Sequence, residues 1–139
     1  MNLRTLGKTG RDVSEIGFGA WQIGADWGEV DEDAAMATLQ AAADAGVTFF
    51  DTADVYGDGR SERLVGRLRR EREGITVATK MGRRADPHAP ESFTLDAFRG
   101  WLDRSRANLG VGPLNLEAGR RLLECLGGGA QRIGVARAS

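Results

Sequence analysis

Three residues whose side chains can share a proton stand at the ends of two short apolar runs. In the stretch VTFFDTADVYG, residues 47 to 57, the run Val47, Phe49 and Phe50 is bounded by Gly46 and ends on the carboxylate of Asp51; Tyr56, the only tyrosine, follows five residues later. A second, β-branched run from Ile75 to Thr79 ends on Lys80. A phenol titrates near ~10 in water, and an ammonium beside it favours the phenolate and so makes the phenol a better acid. A carboxylate next to that ammonium keeps it charged and oriented. Two buried strands that each deliver one ionisable group at the carboxyl end, with a helix between them, are the way a parallel α/β fold assembles such a site.

The rest of the chain supplies elements that could hold these groups. Residues 3 to 14 read as a β-hairpin, with Leu3 to Leu6 and Asp12 to Ser14 joined by the turn Gly7-Lys8-Thr9-Gly10. Gly7-Lys8-Thr9 looks like the end of a phosphate-binding loop, but that motif would need its first glycine at Asn2 and an apolar strand before it. Glu15 to Ala20 reads as a short strand; a dinucleotide fingerprint after it would need glycine where Gln22 stands, so a Rossmann reading is weak. Asp31 to Asp44 has helical spacing at Ala35, Met36, Leu39, Ala42 and Ala43, with Asp31, Glu32 and Asp33 at its positive end and Gly46 as its stop. A second helix over Ser61 to Arg70 buries Leu64, Val65 and Leu68, and Ile75 to Thr79 is the next strand. A long loop, Gly82 to Ser92, carries Pro87, His88 and Pro90. Thr94 caps a third helix that buries Leu95, Phe98, Leu102 and Leu109 and stops at Gly110. A hairpin followed by β-α-β-α-β-α implies a parallel sheet with right-handed crossovers.

Composition removes several classes of function. A chain of 139 residues, 41% hydrophobic and 28% charged, can form one domain with a core. Its 19 basic and 20 acidic residues leave a net charge of −1, so no overall field draws nucleic acid or an anionic membrane. The runs Arg67-Arg69-Arg70-Arg72 and Arg120-Arg121 read as solvated helix faces. The single cysteine, Cys125, lies among leucines and reads as a small buried hydrophobe, and one cysteine and one histidine in unrelated segments offer no metal-ligand cluster. The start lacks an apolar h-region and no window approaches the ~18 apolar residues of a membrane span, so a cytoplasmic protein is expected.

The motifs LGKTG, GFGAW, GVTFFDTADVYGDGRSERLVGRL and ITVATKMG together make the chain resemble the aldo-keto reductase family over residues 1 to about 111. The resemblance implies a (β/α)₈ TIM barrel with an N-terminal hairpin, here partial, with about four to five β/α units in a single domain over residues 1–139. Within it, residues 1–14 are the hairpin, 15–111 the first three units and 112–139 a divergent helix-strand segment. It implies NADP(H) as cofactor and a small carbonyl substrate. Carried over by position, Asp51, Tyr56 and Lys80 match three members of the catalytic tetrad. Trp21 falls where the family lines the mouth of the substrate and nicotinamide pocket, and Asp51 is a second, weaker candidate for contact with the cofactor. Carbonyl reduction needs hydride at carbon and a proton at the developing alkoxide; the cofactor supplies the first and an acid such as Tyr56 the second.

After Val111 the chain departs from that pattern. The family's fourth strand ends on a histidine in a segment of the type LDLxxLH, whereas Gly112-Pro113-Leu114-Asn115-Leu116-Glu117-Ala118-Gly119-Arg120 has none. The sole histidine, His88, reads as a solvated loop residue. Leu116 to Leu126 has helical spacing and Gln131 to Val135 reads as a strand, in keeping with the family's fourth helix and the start of its fifth strand. Where the family shows a Ser-Asn pair after that strand, the chain has Ala136-Arg137. A whole barrel needs roughly 250 residues, so the chain is expected to be truncated and, alone, to bind NADPH poorly and turn over little aldehyde. Three readings are open: a carbonyl reductase by family, a non-catalytic half-barrel that associates with itself or another protein, and a truncated gene product. Self-association is expected through open barrel edges, with Ile16, Phe18, Phe49, Val77 and Ile133 partly uncovered on the inner face.

Overall fold

A computed structural model describes residues 1–24 and 28–112. The chain opens with a hairpin of β1 (Leu3–Thr5) and β2 (Asp12–Ser14), antiparallel with Arg4 opposite Val13. A reciprocal pair of bonds fastens the hairpin to the residue that leads into strand β4 (Phe49–Asp51): the Ser14 amide donates to Thr48 Oγ1 at 2.8 Å and the Thr48 amide to Ser14 Oγ at 2.9 Å. Because Thr48 directly precedes β4, these bonds seat the hairpin at the amino end of the sheet.

Among the described residues, three β/α units follow the hairpin. Strands β3 (Gly17–Gly19), β4 and β5 (Thr76–Ala78) form a parallel sheet in the order β3-β4-β5, with Phe18, Phe50 and Val77 in one register row and Gly19, Asp51 and Ala78 in the next. The connecting helices are α1 (Glu32–Asp44), α2 (Arg60–Glu71) and α3 (Leu95–Leu109). The carboxylate of Asp31 accepts from the Ala34 amide and the hydroxyl of Thr94 from the Ala97 amide, so α1 and α3 begin on side-chain caps.

Successive strand side chains alternate between faces, which divides the sheet's two jobs. Phe50 is fully buried against Met36 and Leu39 of α1 and Leu64, Val65 and Leu68 of α2, with Leu109 of α3 in the same cluster. Phe49 and Asp51 point the other way. The register corrects one expectation: Phe18 and Val77 share the Phe50 row and pack against the helix-side core, rather than lining the inner face with Phe49. Only Ile16, at 63% exposure, is substantially uncovered in that group; Ile133 lies outside the described residues. A second correction concerns Leu95, which is exposed. Helix α3 is most deeply buried at Ser105 and Leu109, so its first turn lies outside that contact. The helix read over Leu116 to Leu126, Cys125 included, and the strand over Gln131 to Val135 also lie outside the described residues.

Candidate active site

Each site residue leaves the sheet at the carboxyl end of a strand. Asp51 is the last residue of β4, and Lys80 stands two residues past the end of β5. The adjacent register row, Asp51 beside Ala78, brings the two chain ends together. The Thr52 amide then donates to the Ala78 carbonyl at 2.8 Å and the Asp54 amide to the Lys80 carbonyl at 3.1 Å, which extends the pairing past the strands themselves.

The Lys80 ammonium donates to Asp51 Oδ1, to the Thr52 carbonyl at 3.0 Å and to the Tyr56 hydroxyl at 3.4 Å. It also stands 5.2 Å from the centroid of the Tyr56 ring. The structure therefore gathers Asp51, Tyr56 and Lys80 around one ammonium. Trp21 stacks on Tyr56 with ring centroids 6.0 Å apart and planes inclined by 22°, giving the phenol an aromatic wall. The Asp51 and Lys80 side chains are 43% and 49% exposed, so the face opposite the helices is open to solvent at this point. His88 is exposed in the loop before α3, edge-on to Phe93 at 5.2 Å, and belongs to a separate aromatic cluster.

What aligns the three strand ends is the first turn of α2. Ser61, fully buried, donates to the Ala20 carbonyl at 2.7 Å and lies 2.8 Å from Thr52 Oγ1, so it joins the ends of β3 and β4. Glu62, also buried, accepts from Thr79 Oγ1 at 2.7 Å, fixing the residue before Lys80, and from Asn108 Nδ2 of α3 at 2.8 Å. Arg60 donates to the Ile23 and Val30 carbonyls at 2.5 and 2.6 Å and holds the segment after Trp21. None of the three stands out in the sequence. Their types match a solvated helix face, and the one available signal was that RSER directly precedes the apolar stripe LVGRL.

A second charged group lies beside the turn that carries Tyr56. Asp54 is buried, 1% exposed, and among the described residues neither of its carboxyl oxygens receives a hydrogen bond; Arg84 Nε stands 3.4 Å away. Burial pushes the Asp54 carboxyl above the usual carboxylate range, against the pull of Arg84. Exposed Asp58 goes the opposite way, held below that range by its hydrogen bond from Arg84 and by the Arg104 charge.

Known proteins share this arrangement of strands and helices. The model of the aldo/keto reductase family matches residues 15–116. The chain belongs to the aldo/keto reductase family. It is 39% identical over 113 residues to L-galactose dehydrogenase of Arabidopsis thaliana, covering 78% of this chain and 34% of that protein. An aldo-keto reductase structure from Pseudomonas aeruginosa aligns with a TM-score of 0.65 at 34% identity over 78% of this chain and 42% of that one. A Klebsiella pneumoniae aldo/keto reductase, solved in complex with NADP and acetate, aligns with a TM-score of 0.61 at 27% identity, covering 76% of this chain and 35% of that chain. The chain spans about a quarter to a third of the length of the curated relatives it matches. The three described β/α units thus correspond to part of the (β/α)₈ barrel of these proteins, with the hairpin at the amino end of the sheet and the Asp51-Tyr56-Lys80 group at its carboxyl end.

Proposed function

We propose that the site belongs to an NADP(H)-dependent reductase of aldehydes or ketones, in which Asp51, Tyr56 and Lys80 deliver the proton. The observation that carries this reading is one ammonium shared by a carboxylate and the chain's sole phenol, at the carboxyl ends of adjacent strands. The stacked Trp21 and Tyr56 rings offer a flat apolar wall beside a hydroxyl donor, which fits a nicotinamide and a small carbonyl compound. The nicotinamide, when bound, supplies the hydride to the carbonyl carbon. Tyr56 donates its hydroxyl proton to the carbonyl oxygen, which becomes the alcohol, and the negative charge left on the phenol oxygen faces the Lys80 ammonium 3.4 Å away. Asp51 and the Thr52 carbonyl hold that ammonium in place. Solvent returns the proton to Tyr56 between turnovers.

The open site also supports slow turnover by the 139-residue chain, because half-exposed Asp51 and Lys80 side chains work in water-rich surroundings where electrostatic stabilisation is weak. Titrating NADPH against the protein while following tryptophan fluorescence, then adding an aromatic aldehyde and following NADPH absorbance, tests the reading. Saturable quenching with slow, aldehyde-dependent oxidation supports it; quenching without any oxidation points to the non-catalytic half-barrel.

Self-association is a second reading, supported by exposed Leu3 and Ile16 at 57% and 63%. Light scattering after size exclusion tests it: a dimer supports it, and a sharp monomer near 14.9 kDa rules it out.

A further inference from the structure

Tyr56 sits in the middle of a turn whose two ends are gripped by one guanidinium. Arg84, from the loop after Lys80, donates through Nη2 to the Asp54 carbonyl at 2.6 Å and to Asp58 Oδ1 at 2.5 Å, while its Nε lies 3.4 Å from Asp54 Oδ2. Asp54 and Asp58 are two residues before and two after Tyr56. The turn is also tied to the segment that follows β5 by the bond from the Asp54 amide to the Lys80 carbonyl.

We propose that Arg84 is a positioning residue for the Tyr56 phenol: by bridging Asp54 and Asp58 it fixes the turn between them, and with it the distance from the phenol oxygen to the Lys80 ammonium. The inference deepens the reading of Tyr56 as proton donor, and rests on that reading for its consequence in rate. Arginine suits this task because its planar fork presents several donors at fixed angles, which lysine does not. The guanidinium is also needed where it stands. Arg84 and Arg104 face both Asp54 and Asp58, Arg63 also faces Asp58 and donates to its carbonyl at 3.3 Å, Glu62 is the neighbouring buried carboxylate, and a buried carboxylate deprived of its cation is strongly destabilising. Arg104 differs from Arg84 in reaching only Asp58, at 2.6 Å from Oδ1 and 3.5 Å from the carbonyl, so it anchors one end of the turn to α3 without spanning it.

Because Tyr56 is the only tyrosine, carbon-13 labelling of tyrosine in the 139-residue chain gives a single set of ring signals. Arg84→Met should displace or broaden those signals beyond the line width while the protein still unfolds cooperatively, Arg84→Lys should restore them in part, and Arg104→Met should leave them in place. Where wild-type reductase activity is measurable, Arg84→Met should lower kcat about tenfold with KM for NADPH unchanged, since misplacing the acid affects the chemical step more than binding. Unmoved tyrosine signals in folded Arg84→Met would overturn the proposal. If Arg84→Met does not fold, Arg84→Lys and Asp58→Asn decide: displaced signals in both support the grip, and unchanged signals in both overturn it. A wild-type chain without reductase activity would count against the proposed function alone, because the labelled-tyrosine comparison still reads the position of the ring.

Discussion

The backbone of Gly57 packs directly on that of Gly24. Gly57 has φ +56, and a Cβ there would overlap the Gly24 carbonyl; a Cβ on Gly24 would come within 2.8 Å of the Gly57 nitrogen and the Tyr56 carbonyl carbon. The two loops that carry Trp21 and Tyr56 thus touch without side chains between them, and the stacked rings sit directly alongside. Gly57→Ala must relieve both a left-handed backbone and a collision, at a cost of about 1–3 kcal/mol. The expected outcome is a lower denaturation midpoint together with a changed near-ultraviolet circular dichroism from the Trp21-Tyr56 pair; an unchanged midpoint would show that the loops can separate freely.

Ser61→Ala should cost about 1–3 kcal/mol, because it removes a buried hydroxyl that serves the Ala20 carbonyl and Thr52 Oγ1 together. Urea unfolding measures the loss. A change below about 0.5 kcal/mol would mean that the strand ends are aligned by the sheet alone.

The strand ends and the catalytic candidates were legible because their signals are local. Apolar runs ending on Asp51 and Lys80 mark the carboxyl ends of strands, and the stripes in α1 and α2 mark the faces that cover Phe50. Ser61, Glu62 and Arg84 were not legible, because a polar residue that faces solvent and one that a neighbouring strand end will bury are of the same type, and the position of RSER before LVGRL does not tell them apart. The face taken by Phe18 and Val77 was hidden for a related reason. Alternation fixes which residues share a face, but only the register against Phe50 shows which face that is.

The two carboxylates around Arg84 should respond to pH in opposite directions. The Asp54 carboxyl is raised in the folded state, so its ionised form opposes folding at neutral pH, and that opposition fades as pH falls through the raised value. Asp58 is lowered, so its contribution is present above the ordinary carboxylate value and is lost as pH falls through the lowered one. The stability of the wild type minus that of Asp54→Asn should therefore rise as pH is lowered from about 7 to about 4, and the same difference for Asp58→Asn should fall at more acidic pH. Urea midpoints at several pH values check both signs; a flat Asp54→Asn difference would show that its carboxyl is not desolvated.

Lys80→Met removes the ammonium that joins Asp51 to Tyr56, leaving the apolar stem in place. It should lower aldehyde reduction by about 10²-fold or more while quenching by NADPH persists, since the lost interaction acts on the developing charge. An equal loss in binding and rate would assign Lys80 to cofactor binding instead.

The most direct measurement is transfer of label from nicotinamide-deuterated NADPH to an aromatic aldehyde, comparing the wild type with Tyr56→Phe. Mass spectrometry of the alcohol detects even slow turnover. Deuterium at the alcohol carbon with the wild type, reduced about 10²-fold or more by loss of the one hydroxyl, is the predicted result. Equal labelling by the two proteins, or none above a protein-free control, would contradict the assignment of Tyr56 as the proton donor of a carbonyl reductase.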